Sequence, residues 1–219
     1  PADTDKIHHS GTGRFAWLTM RTMSLYESGE STGEVSLNDL FSKPDVDVFG
    51  TNSLNIDAIA WLICRGGWPR ATTINKEVAL DMAYRYYEAV VNNDVSRVDN
   101  VKRDVERTKR ILRSIARNQC SQIPVNTICA DIENNDSIAA NRLTIASYIE
   151  ALKKIFVLED SLAWNPNLRS KTAIRSSETR YFSDPSIGVA ALGVGPNDLI
   201  NDLSTMGLFF ESMCVRDLR

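Results

Sequence analysis

Long apolar runs are missing from this chain of 219 residues. No run approaches the roughly 18 apolar residues of a membrane-spanning helix, so no membrane role is expected. Histidine is scarce: His8 and His9 are the two present, adjacent in a polar, glycine-containing segment that reads as a loop rather than a ligand pair. The four cysteines, Cys64, Cys120, Cys129 and Cys214, include no pair at metal-ligand spacing and sit among apolar or helix-patterned neighbours. Reduced, mostly buried thiols in a cytoplasmic protein are therefore expected, with neither a disulfide framework nor a zinc site. Charge of one sign is also lacking. A formal net charge of -3 argues neither for nor against a nucleic-acid partner, so only local patches can speak. Pro1–Lys6 has no initiator Met and no apolar signal segment, and the chain stops at Asp217–Arg219 within a helical pattern. Both ends read as cut from a longer chain.

What is present suits a packed core: 43% of residues are hydrophobic and 24% charged, enough for one or two domains. Phe15–Met20, after the Gly11–Gly13 turn signal, predicts a short strand. Leu25–Glu27 reads as the opening of a short helix, and Ser36–Phe41 as a helical turn with a serine cap. Ile56, Ile59, Ala60 and Ile63 form a helical face that Gly66–Pro69 ends. Val78, Met82, Tyr86, Ala89 and Val90 give a second stripe. After a break near Asn92–Asp94, Val98, Val101, Val105, Thr108, Ile111 or Leu112, and Ile115 give a third. That helix turns a basic side outward: Arg97, Lys102, Arg103, Lys109, Arg110, Arg113 and Arg117. Such faces are usually just solvated, and Asp99, Asp104 and Glu106 dilute this one.

Pro124 opens a helix through Val125–Glu133. A polar turn at Asn134–Ser137 leads into a second helix from about Asn141 to Ile155, burying Leu143, Ile145, Tyr148, Ile149, Leu152 and Ile155. Two helices around a polar turn make a helix-turn-helix candidate. The β-prone Phe156–Leu158, the Asn165–Asn167 turn and the return at Arg180–Phe182 add a wing, with Ser161–Leu168 and Ile174–Phe182 as its flanks. Trp164 is expected to leave the strand and pack near Leu152 and Tyr148, where truncation to alanine would cost roughly 3–5 kcal/mol.

Several segments together resemble one family. They are Gly13–Arg14, Met20–Gly29, Arg65–Pro69, Tyr148–Leu152, Trp164–Pro166, Leu168–Lys171, Asp184–Ser186 and Gly207–Glu211. In this order they are similar to prokaryotic AAA-type P-loop ATPases with a C-terminal domain of unknown function, in which a winged helix precedes a restriction-endonuclease-like fold. Thr22 departs from the usual proline, and Trp17 from a common basic residue, which puts the local turn in question. The resemblance implies a mainly α protein with small β. Residues 1–70 would be the C-terminal remnant of the ATPase domain, 71–121 a helical connector, 122–193 a winged helix, and 194–219 the truncated start of a nuclease-like domain. ATP and Mg²⁺ would belong to the parent chain. No Gly-x-x-x-x-Gly-Lys-[Ser/Thr] occurs here, nor an apolar strand ending in paired acids, so this segment should bind no nucleotide and be inactive alone.

Arg14 and Arg65, beside glycines at element ends, are the nucleotide-related candidates, against surface or helix-capping roles. Arg142, Ser147, Lys153 and Lys154 on the second helix, with Arg169, Lys171 and Arg175 of the wing, are candidates for DNA phosphates. Glu211 is a weak metal candidate, with a helix-surface role as its rival. The expected function is coupling of nucleotide state to a DNA- or protein-binding winged helix. A winged-helix DNA module without an ATPase role is the alternative, as is an interaction scaffold that contacts a protein partner or itself.

Overall fold

The computed structural model describes residues 13–16, 18–43, 45–133, 141–164 and 177–219. The protein is mainly α-helical with one small antiparallel sheet. In chain order the elements are α1 (Leu37–Ser42), α2 (Ile56–Arg65), α3 (Lys76–Ala89), α4 (Val105–Arg117), α5 (Val125–Glu133), α6 (Arg142–Lys154), β1 (Leu158–Ser161), β2 (Thr179–Phe182), α7 (Pro185–Leu192), α8 (Pro196–Asn201) and α9 (Leu203–Asp217). Short polar side chains set where most of these helices start. Asn55, Asn75, Asp104, Asn141, Asp184 and Asp202 each accept a backbone N–H from the first turn of the helix that follows.

β1 and β2 pair antiparallel, with Leu158 opposite Phe182 and Ser161 opposite Thr179. On the other side of β2, Ser121 forms a bridge to Arg180, so among the described residues β2 is central and β1 is an edge. Two apolar cores lie beneath. One gathers the end of α3 with α4, α5, α6, the hairpin and α7. The other joins α2 to α8 and α9 through Ala60, Ile63, Leu199, Phe209 and Met213, with Val189 of α7 between them. The cores therefore run across the divisions expected at 121/122, 70/71 and 193/194.

Several sequence expectations give way here. Phe15–Met20 forms no strand among its described residues, and Phe15, Leu18 and Met20 are exposed, because no neighbouring strand offers them a ladder. Leu25–Glu27 is a hydrogen-bonded turn. In α3 the buried stripe is Ala79, Ala83 and Tyr87, one residue on from the expected one, and Val78 lies exposed. Small alanines let α7 approach α3 closely, which bulkier side chains at those positions would prevent. The break expected near Asn92–Asp94 is a π-helical turn, Val90–Asp94, and the chain leaves the helix only after Arg97. Leu143, expected in the core, is exposed.

Trp164 is 84% exposed, which overturns its expected burial. β1 has already ended at Ser161, and the core around Leu152 and Tyr148 is filled by Val157, Leu158 and Phe182. Trp164→Ala should shift the urea midpoint by no more than a typical surface change, about 0.5 kcal/mol.

The segment between Arg97 and α4 is fixed by Arg103, expected on the solvated basic side but buried. Its guanidinium donates to both Asp99 oxygens at 2.6 and 2.7 Å, to the Val95 carbonyl at 2.6 Å, and to Ser147 Oγ at 3.3 Å. The Arg103 hydrogen bonds hold the Asp99 carboxyl down at about 2, against about 3.9 in an unfolded chain. Since the folded value is the lower, this contribution is complete above about pH 4 and is lost as pH falls towards 2. An acid titration of stability should show this slope, and Asp99→Asn should flatten it.

Candidate functional site

Two polar assemblies flank the hairpin, one buried and one open. The buried one centres on Asp184, whose carboxylate is fully enclosed. Its Oδ1 accepts the Ser186 amide at 3.0 Å and the Ser186 hydroxyl at 2.6 Å. Its Oδ2 accepts the Gly67 amide at 2.8 Å and Arg216 Nη1 at 3.3 Å. Ser186 Oγ in turn accepts Trp68 Nε1–H at 3.0 Å. Gly67 O accepts the Met23 amide at 2.7 Å, and Asp217, held by Arg216 at 2.7 Å, accepts the Leu25 amide at 3.0 Å. Four distant stretches, Met23–Leu25, Gly66–Trp68, Asp184–Ser186 and Arg216–Asp217, are thus tied to one carboxylate. Both glycines are required. A Cβ on Gly66, at φ 72°, would sit 2.4 Å from Asp184 Oδ1, and one on Gly67 would sit 2.1 Å from Met23 O.

Beside this knot opens a cleft of about 550 Å³, bounded by Thr19–Thr22 on one wall and by Phe156 and β1 on the other. Trp68 and Tyr86 form its aromatic floor, with ring centroids 4.5 Å apart. Arg21 joins the two walls through both oxygens of Glu159, at 2.5 and 3.1 Å, and Arg219 reaches the same carboxylate at 3.0 Å. The Arg21 bonds keep the Glu159 carboxyl below the usual carboxylate range. Burial works against charge on Asp160, but bonds from Arg180 and Lys153 outweigh it and hold that carboxyl low too. Two carboxylates so firmly ionised are poor proton donors near neutrality. Burial likewise pushes the Cys64 and Cys120 thiols up to about 12, far from thiolates. Among the described residues no group of three or more His, Cys, Asp or Glu is gathered to hold a metal.

Phe156 ends α6 in an unusual way. Its amide donates to Lys153 O at 3.0 Å and the Val157 amide to Leu152 O at 2.9 Å, the paired bonds of a Schellman cap. The residue at its turning point has φ 58°, a place normally taken by glycine, yet here a phenylalanine holds it with its side chain 69% exposed. Relief of left-handed strain exceeds the added flexibility of the unfolded chain, so Phe156→Gly should raise unfolding free energy by about 0.5–1 kcal/mol. A thermal or urea melt checks this.

The sequence candidates separate as follows. Arg65 is not presented to a nucleotide: its guanidinium is buried, paired with Glu30, donating to Ser28 and to the Gly66 carbonyl, and lying over Trp61. Arg65 does lie at an element end, as the last residue of α2 before the Gly66 cap, but its side chain folds back onto Glu30 and Trp61. Arg14 is exposed at the start of the described segment. Lys153 lies among three carboxylates, Asp160 at 2.7 Å, Glu150 at 3.3 Å and Glu178 at 3.8 Å. Arg142 and Lys154 are exposed on α6, while Arg169, Lys171 and Arg175 lie outside the described residues. Glu211 accepts the Tyr181 hydroxyl at 3.3 Å, joining α9 to β2. Sequence reasoning passed over Asp184 as a charge and Phe156 as a site residue. A helix-capping Asp-Pro-Ser and a missing glycine after Lys154 were the available signals.

Together these features define a mainly helical protein with a small antiparallel sheet and an aromatic-floored cleft beside its hairpin. Residues 56–198, about two-thirds of the chain, match the family described as a domain of unknown function, DUF8612, and the chain belongs to that family. No curated protein and no solved structure matches it. Among the described residues no helix is long and apolar enough to cross a membrane.

Proposed function

We propose that this chain is part of an AAA-type P-loop ATPase and couples the nucleotide state of a P-loop domain to the binding of a protein partner at the cleft. The supporting observation is the cleft's construction. One wall, Thr19–Thr22, belongs to the stretch that resembles the end of an ATPase domain, and the other is the hairpin, with Arg21 and Glu159 as the link. The knot at Asp184 fixes residues 23–25 to the helical body, so a displacement arriving from the ATPase side would move the Thr19–Thr22 wall rather than dissipate in the core. ATP and Mg²⁺ would be held by the P-loop domain, and this segment would do no hydrolysis itself. In this reading α4, the Ser121 bridge, α5, α6 and the hairpin form a winged helix, whose first helix is α4.

The parent gene tests this directly. A P-loop should be encoded within about 150 residues upstream, one domain length, and its absence would sink the proposal. In the parent protein, Arg21→Glu should leave basal ATP hydrolysis in place while removing its response to the partner. A duplex-DNA role is the second reading, carried by exposed Arg142 and Lys154. It requires an affinity that falls steeply with salt. The carboxylates around Lys153 favour a protein instead, and no shift of duplex DNA at low salt is expected.

A further inference from the structure

We propose that the outer edge of β1 takes up an extended segment of a partner protein as an added strand. That segment would seat a large apolar side chain in the cleft and a basic residue beside Glu178. This deepens, and rests on, the protein-binding half of the function proposed above.

Backbone pairing is the first ground. The Ser183 amide donates to Val157 O at 3.1 Å, which makes Val157 and Ser183 a hydrogen-bonded pair. Antiparallel alternation then turns Glu159 and Ser161 toward β2, and sends the N–H and C=O of Leu158 and Asp160 to the other side. Arg180 confirms the phase, since its own backbone groups turn away from β1 to meet Cys120 and Ser121 at 3.0 and 3.1 Å. Among the described residues no backbone group meets Leu158 or Asp160 on their outer side, and since Leu158 is only 2% exposed, half-buried Asp160 is the accessible point of this edge. Such an edge is a template for another strand.

The surroundings select what would pair there. The cleft runs along this edge, and Met20, Phe156, Trp68 and Tyr86 offer apolar surface to one side chain of an incoming strand. Phe156 keeps its ring exposed at a strained position that glycine would fill more stably, which marks it as retained for contact rather than for folding. Charge is complementary to a base. Asp160, Glu150 and Glu178 surround Lys153, and Glu178 is the most distant of the three from it, with its side chain 43% exposed. A lysine or arginine of the partner would complete that set.

Random dodecapeptides displayed on phage and panned against the full chain test this. Enriched sequences should alternate apolar and β-branched residues and carry lysine or arginine. Methylating the peptide amides that face β1 should weaken binding about tenfold or more, since each removes a hydrogen bond and leaves its acceptor unpaired. Methylating the alternate amides should not. Phe156→Gly, which should fold at least as well, and Glu178→Lys should each weaken binding as well. Hydrogen exchange should find the Asp160 amide fast in the free chain and slowed by the peptide. The proposal is overturned by failure to enrich any peptide, by indifference to amide methylation, or by slow exchange at the Asp160 amide in the free chain. A P-loop in the parent gene together with any of those results would remove this inference and leave the ATPase assignment standing.

Discussion

Asp184→Ala is expected to lower the unfolding free energy by about 3–5 kcal/mol, because it takes from buried Arg216 one of its two carboxylate partners and leaves several buried donors without an acceptor. Arg216 is almost wholly enclosed, and its guanidinium keeps only Asp217 once Asp184 is gone. The amides of Gly67 and Ser186 lose their acceptor in the same step. Against a typical stability of roughly 5–15 kcal/mol, that is a large share. Urea unfolding followed by tryptophan fluorescence is the measurement. Asn at this position should rescue little, since its amide nitrogen would face donors on one side. Arg216→Met in the Asp184→Ala background should recover part of the loss, and a purely additive double variant would show that the pair is not coupled.

Gly67→Ala should be nearly as severe, at about 3 kcal/mol or more. The added carbon would fall 2.1 Å from Met23 O and 2.8 Å from Met23 N, and both are backbone atoms that no rotamer change can move. The Met23 amide to Gly67 carbonyl bond must open, and with it the attachment of the segment leading to the cleft wall. A melt that matches the parent chain would mean the two segments separate freely. Phe156→Gly and Gly67→Ala therefore have opposite signs, although both concern glycine geometry. One removes a side chain from a left-handed turn, and the other inserts one into a contact between main chains.

Helix positions were legible because their signals are local. Asn55, Asn75, Asp104 and Asn141 accept hydrogen bonds two or three residues away, and Gly66 stops α2 where the sequence said it would. The mainly α class with a small antiparallel pair was legible for the same reason. What the pattern could not reveal depends on distant partners. Asp184 and Gly67 are 117 positions apart, so nothing near either announces their bond. The one-residue error in α3 arose because alanine counts weakly in a hydrophobic pattern, although small size is what α7 demands there. Trp164 was placed from an apolar strand running up to it and the Asn165–Pro166 turn after it, whereas β1 stops three residues earlier. Arg65 stood as a nucleotide candidate because Glu30, which closes on its guanidinium, lies 35 positions before it.

The core shared by α2 and α9 has a consequence for synthesis. Ala60 and Ile63 find their partners in Phe209 and Met213, near the far end of the sequence. At roughly 5–20 residues per second, on the order of ten seconds separates the emergence of these two helices from a ribosome. Until then the face of α2 that meets α9 stays uncovered, while α3, and later α7 and α8, already pack on the rest of it. The helices between them can collapse around their own core in the meantime, so this last face of α2 closes only when α9 arrives.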